Sequence, residues 1–191
     1  MPRLTQRFLD PGPGAKSRAI GLFLWQLDDQ TRRLKEDTRG ATPEELAWQP
    51  APGMNTIGML LAHVAVVETH WIGASALGLE WSTIQVLPVT RQDTGIPLPA
   101  GAAPPEALHG KDLAFFDDLL DRARAYTRSA LAPLAEADLD RRFVRRRPDG
   151  TEFEANVAWA IYHVLEHEAG HYGQINLLRH QYRLARAPLR A

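Results

Sequence analysis

The chain has 191 residues, with 22 Lys+Arg against 23 Asp+Glu, a net charge of −1, seven histidines and no cysteine. At roughly 150 residues per domain, this length suggests one domain, and such a chain buries about 70% of its unfolded surface without a disulfide or metal staple. The composition excludes thiolate metal sites, iron–sulfur clusters and cysteine nucleophiles, and the near-neutral charge argues against a dedicated nucleic-acid binder; any bound metal must be held by histidine and carboxylate.

The first 18 residues mix Arg3, Arg7, Asp10 and Lys16 with Pro11 and Pro13. They lack the apolar segment of a secretion signal. No uncharged apolar stretch approaches the ~18 residues of a membrane span. The expectation is a cytoplasmic protein with no membrane partner.

A first helix is predicted from about Lys16 to Arg39, with Ile20, Phe23, Leu24, Leu27, Thr31 and Leu34 at three- and four-residue steps and Gly40 as its stop. Thr42-Pro43-Glu44-Glu45 reads as a capping box opening a short helical turn. A second helix is expected from an N-cap at Asn55 to about Leu77, with Ile57, Leu60, Leu61, Val64, Val67 and Trp71 as its stripe. Residues 78–110 are rich in proline and glycine, an uncommonly long connection that suits a crossover along a four-helix bundle. A crossover there leaves the second and third helices parallel. The third helix covers about Lys111 to Leu131. Arg142 to Phe153 reads as a turn or small hairpin around Asp149-Gly150. The fourth helix runs from about Glu154 to Leu184. The expected fold is an all-α four-helix bundle in one domain, its core spanning about 18–184.

The fourth helix carries most of the chemistry. Val157, Ala160, Val164, Ile175 and Leu178 define one face, and His167 and His171 fall within about 40° of its centre. An i,i+4 pair stacks its rings on one side of the helix. Buried imidazoles need partners. Either each bonds a neighbouring helix, or the two share a divalent cation. His163 lies about 80° off the stripe. Candidates for a third ligand are His63, His70 and Glu68 on the second helix and His109 in the connector, with His70 and His109 expected at the surface. Helical phase puts His63 only at the edge of its stripe, so geometry does not select it. His167-Glu168-Ala169-Gly170-His171 also satisfies the H-E-x-x-H pattern of zinc proteases. The residues after His171 hold no Asp or Glu, and Gln174 and Leu177 break the extended pattern.

Two segments carry a family resemblance. Trp48-Gln49-Pro50, then Thr56-Ile57, Leu60-x-x-His63 and Glu68 form one, and His167-x-x-x-His171-x-x-Gln174-Ile175 the other. Together they resemble the DinB/YfiT-like superfamily of metalloenzyme-like bundles, over roughly residues 18–184. The resemblance implies a four-helix bundle with parallel second and third helices. It implies metal ligands at His63, His167 and His171, which is what selects His63. Gly170 stands where many members have another histidine, and suggests close packing or access at the site. Branches of the family are thiol transferases or isomerases using bacillithiol or mycothiol, and others carry only a hydrolase label.

Three neutral imidazoles suit Zn²⁺ or Ni²⁺ and leave coordination positions open. The expected activity is metal-dependent activation of a low-molecular-weight thiol, or of water, against a small electrophilic substrate. Glu68 and Glu168 are the carboxylates expected nearest the site, to orient a histidine or move protons. The alternative is a non-catalytic bundle with a structural ion or small-ligand site, and an H-E-x-x-H protease is a third. Arg141, Arg142, Arg145, Arg146 and Arg147 form the one basic run. It reads as a solvated face or as a contact for an acidic cosubstrate, not as a nucleic-acid patch. Arg179, Arg183 and Arg186 suit the C-terminal dipole of the last helix. Trp25, Trp71 and Trp159 are expected in the core or a pocket wall. The resemblance also makes a homodimer plausible.

Overall fold

The computed structural model describes residues 8–11, 14–147 and 149–187. Four long helices, α1 (Arg18–Thr38), α3 (Ile57–Ala76), α5 (Leu113–Leu131) and α6 (Val157–Arg186), form the bundle. The short α2 (Pro43–Ala47) follows α1, and α4 (Arg91–Thr94) lies in the connector. A two-stranded antiparallel hairpin, β1 (Arg142–Arg146) and β2 (Glu152–Asn156), precedes α6.

Each long helix starts where a side-chain oxygen can accept an orphan backbone N–H. Ser17, Thr56, Asp112 and Asn156 do so for α1, α3, α5 and α6. The cap of α3 is therefore Thr56, one residue after the expected Asn55; its hydroxyl accepts from the Met59 N–H at 3.2 Å. The last helix starts at Val157, not Glu154, because residues 154–156 are drawn into pairing with β1. At α2 only half of the expected capping box exists. Thr42 accepts from the Glu45 N–H, while the Glu45 carboxylate is buried against Arg179 on α6 at 2.7 Å. Arg179 is thus a core ion pair between elements, and not a solvated end-of-helix cation.

The path of the bundle follows from which side chains meet. Gly58 approaches Phe116, Glu68 meets Arg124, and Gly73 approaches Tyr126, so α3 and α5 run parallel. Thr31 meets Glu168, and Asp37 meets Tyr172 and Asn176, so α1 and α6 are parallel too. Trp71 meets His163 while His63 meets His167, which sets α3 antiparallel to α6. The order is up, down, down, up, with the connector as the crossover. A Cβ at Gly58 would lie 2.8 Å from Phe116, and one at Gly73 2.7 Å from the Tyr126 hydroxyl. These two glycines let α3 and α5 approach closely. The connector is not loose: Leu87, Val89, Ile96, Leu98 and Leu108 pack onto the bundle.

By length and composition α3 is apolar enough to cross a membrane, yet its apolar window is 89% buried within the bundle. It is the central helix, covered by α5, α6 and the connector. The apolar core falls into two clusters. One holds Leu34, the first half of α3, Phe116 to Ala123, and Ile175. The other holds Ile20 to Leu27, Trp71, Ile72, Leu131, and Val157 to Val164. Along all four helices a polar belt sits between them: Thr31, then His63 and Glu68, then Arg124, then His167, Glu168 and His171.

Candidate metal centre

His63 projects from α3, and His167 and His171 from successive turns of α6. Their ligand atoms lie within 4.8 Å of one another. The Nε2 atoms of His63 and His167 are 3.1 Å apart, as are those of His167 and His171. Hydrogen bonding alone cannot satisfy both contacts. The single Nε2 of His167 has either one proton or one lone pair, and each contact needs it. Three lone pairs aimed at one cation resolve the conflict. At Zn–N distances of 2.0–2.1 Å, tetrahedral ligands stand about 3.3–3.4 Å apart, close to what the two contacts show. The donor set therefore fits a divalent ion.

The protonation states agree. Burial, then the charges of His171 and Arg91, pushes His63 down to about 4. Burial, then the neighbouring histidines, pushes His167 down to about 3. Both rings are neutral at neutral pH, with lone pairs free. Gln174 Oε1 lies 2.9 Å from His171 Nδ1, so it accepts that proton and leaves Nε2 for the centre. His63 Nδ1 is buried without a partner among the described residues.

The remaining candidates fall elsewhere. His163 stacks on Trp159 with centroids 5.0 Å apart and reaches Glu166. His109 is exposed. His70, expected at the surface, is half-buried: its ring lies 5.0 Å from Trp81, and its Nδ1 bonds the Val66 carbonyl at 2.8 Å. Trp71 is buried, whereas Trp159 is 40% exposed. Gly170 meets nothing within 4 Å of an added Cβ, so close packing does not explain it. The space beside it is open.

Glu68 and Glu168 are each 1% exposed, and neither bonds a histidine among the described residues. Arg124 Nη2 lies 3.2 Å from Glu68, 3.1 Å from Glu168 and 2.8 Å from the Thr31 hydroxyl, which donates to Glu168 at 2.6 Å. Burial outweighs the Arg124 attraction and, with Glu68 adding, pushes Glu168 up to about 7; burial likewise raises Glu68. A protease of H-E-x-x-H type needs its glutamate facing the ligand pair. Here that carboxylate is committed to Arg124 and Thr31. Arg124 went unnoticed in the sequence, although it falls in phase with Leu120, Ala123 and Thr127, where a charge signals a buried partner.

The basic run divides by function of position. Arg141 donates to the Ser75 and Ala76 carbonyls at the end of α3. Arg142 pairs with Glu154, and Arg146 with Glu152, across the hairpin. Arg145 lies over both Trp71 and Trp81, 4.5 and 3.8 Å from the ring centroids.

An up-down-down-up bundle with three imidazoles converging at mid-height defines a class: a helical bundle built around a candidate metal centre. The chain belongs to the DinB superfamily, whose family model matches residues 26–175. Among solved structures it is similar to a conserved protein of locus from Enterococcus faecalis, with a TM-score of 0.58 and 21% identity over 83% of this chain and 93% of that one. That likeness is one of fold. No curated protein matches the chain.

Proposed function

We propose that this protein is a divalent-metal-dependent enzyme in which His63, His167 and His171 hold Zn²⁺ or Ni²⁺ and a low-molecular-weight thiol, or water, is activated against a small electrophile. The observation that carries it is the convergence of three Nε2 atoms that hydrogen bonding cannot satisfy. A cation there would supply Lewis acidity, enough to bring a thiol or water to its nucleophilic form near neutral pH. The chain's own residues prepare the site. Gln174 fixes the tautomer of His171, and burial keeps His63 and His167 unprotonated. In this reading Glu68 and Glu168 act as positioning residues: with Arg124 they lock α3, α5 and α6 in register and so hold the three imidazoles together.

An enzyme is favoured over a structural ion because the site is open on one side. His167 and His171 are half-buried, and Gly170, on the flank of His167, leaves space beside it. Chain without cysteine must receive any sulfur from its substrate partner. The same reading keeps the cytoplasmic location. It extends to a homodimer, supported by Tyr162, Leu177 and Leu184, which are exposed and fall within about 60° of one another around α6. The test is elemental analysis with a thiol-plus-electrophile activity screen on one sample, comparing wild type with His63→Ala. About one metal per chain, lost with activity in the variant, is expected. Well under one metal in protein purified without chelator overturns the reading.

A further inference from the structure

Arg145 is held without an anion. Its guanidinium carbon lies 4.5 Å from the Trp71 ring centroid and 3.8 Å from that of Trp81, in the angle between two indoles set edge to face, so aromatic contact and not an ion pair holds it. The hairpin's ion pairs go to Arg142 and Arg146, and among the described residues no carboxylate pairs with Arg145. Arg147 sits over Phe153 at 5.2 Å, likewise without a carboxylate partner among the described residues. Arg91, at the start of α4, comes to the same place from the connector. All three line one cavity of ≈ 790 Å³ together with Trp71 and Trp81. Two glutamates line it as well, but Glu152 is neutralised by Arg146, leaving Glu80 alone against three arginines.

Such an accumulation of like charge is costly in a folded chain. The arginines repel one another, since Arg91 and Arg147 both hold the half-buried Arg145 below its ordinary value, after burial itself. Among the described residues the acidic groups that offset them are Glu80 in the cavity wall and Asp149, which feels the Arg147 charge, so positive charge remains in excess. Guanidinium groups that have no carboxylate partner keep donors for a carboxylate or phosphate, which each can bind in bidentate fashion.

No histidine lines the cavity, but its Trp71 wall separates it from them. Its wall Trp71 touches His163 at 4.7 Å between centroids, and His163 lies 6.1 Å from His167. On α3, His63 and His70 are seven residues apart, about 10 Å along one face, and the Arg91 charge reaches both.

We propose that Arg91, Arg145 and Arg147 form an anion clasp that takes the carboxylate or phosphate end of a small molecule whose other end reaches the three-histidine centre. The second half rests on the metal-site reading; the clasp itself does not.

The test is titration of chelator-treated protein with succinate, inorganic phosphate and uncharged dimethyl succinate, by calorimetry and by the fluorescence of the flanking tryptophans. Succinate or phosphate, but not the diester, should bind saturably below about 10 mM, and more weakly in high salt. Which anion binds tells a carboxylate ligand from a phosphate one. Arg145→Met and Arg91→Met should each weaken binding about tenfold. Arg145→Lys, which keeps the charge over the tryptophans but loses the planar fork, should fall between. Arg142→Met should bind as wild type. The proposal is overturned if neither anion binds, or if Arg142→Met weakens binding as much as Arg145→Met. Metal content measured on protein from the same preparation before chelator treatment, with His63→Ala alongside, separates the two ideas. Retained anion binding in His63→Ala supports an independent clasp, whereas a wild type that holds no metal when purified without chelator, yet binds anion, sinks only the metal reading.

Discussion

The belt around Arg124 offers a quantitative test. Arg124→Met keeps the apolar stem and removes the guanidinium that lies 3.2 and 3.1 Å from two carboxylates, each 1% exposed. At an effective dielectric near 20, each such contact carries about 5 kcal/mol of attraction, offset by the desolvation of the charges. The abandoned carboxylates have one escape, which is to bind protons. From an ordinary value of 4.5, neutralising one at pH 8 costs at most about 5 kcal/mol, at about 1.4 kcal/mol per pH unit. The net loss at pH 8 should therefore lie near the ~3–5 kcal/mol found for broken buried pairs. As pH falls, the variant takes up a proton before the wild type does, whose Glu168 titrates at about 7. The penalty should shrink by about 1.4 kcal/mol per pH unit for each such proton. Urea unfolding followed by circular dichroism at pH 8 and pH 6 measures both terms. Adding Glu68→Gln and Glu168→Gln to Arg124→Met should restore most of the loss. A penalty below about 1 kcal/mol at pH 8, or an equal penalty at both pH values, would refute the description of this cluster as a buried charge triad.

In chelator-treated protein, His63 and His167 sit below their ordinary 6.5, so they contribute stability present above pH 6.5 and lost as pH falls toward about 4. Glu68 and Glu168 sit above 4.5, so their contribution is present below 4.5 and lost as pH rises, for Glu168 through about 7. The trends oppose one another between pH 5 and 7, and Glu68→Gln/Glu168→Gln should expose a loss on acidification; thermal melts identical to wild type across that range would contradict it. Gly170→Ala, which meets no neighbour, should stabilise the mid-helix position by up to ~1 kcal/mol, whereas a lowered Tm would mean that the glycine's space is filled by something the monomer lacks. Leu177→Glu should leave the Tm near wild type and shift the protein to a smaller species in light scattering if the α6 stripe is a dimer face; an unchanged mass refutes that face.

Much was legible in the sequence because local signals set it. Helix caps, proline breaks and apolar periodicity placed four helices and a hairpin within a few residues, and the proline-rich connector implied a crossover. His167 and His171 stood out because α6 is amphipathic enough for a polar residue in its apolar stripe to be conspicuous. His63 did not, because α3 is buried nearly all round, so its apolar phase distinguishes no face; only the resemblance selected it. Glu68 and Glu168 stand close to the histidines along the chain, but helical sequence cannot say that they turn to Arg124, which arrives from a helix about 50 residues away. Arg145 is the clearest case. In the sequence it is one of a run of five arginines, with nothing to separate it from Arg142 or Arg146. Strand alternation gives those two cross-strand glutamates, and only the packing of the hairpin against α3 and the connector puts Arg145 over Trp71 and Trp81. The chain alone determined which segments are helical and which chemistry was excluded, since both depend on neighbours a few residues apart. Which side chains share a charge, a proton or a ligand depends on contacts between distant segments, and that the tertiary structure decided.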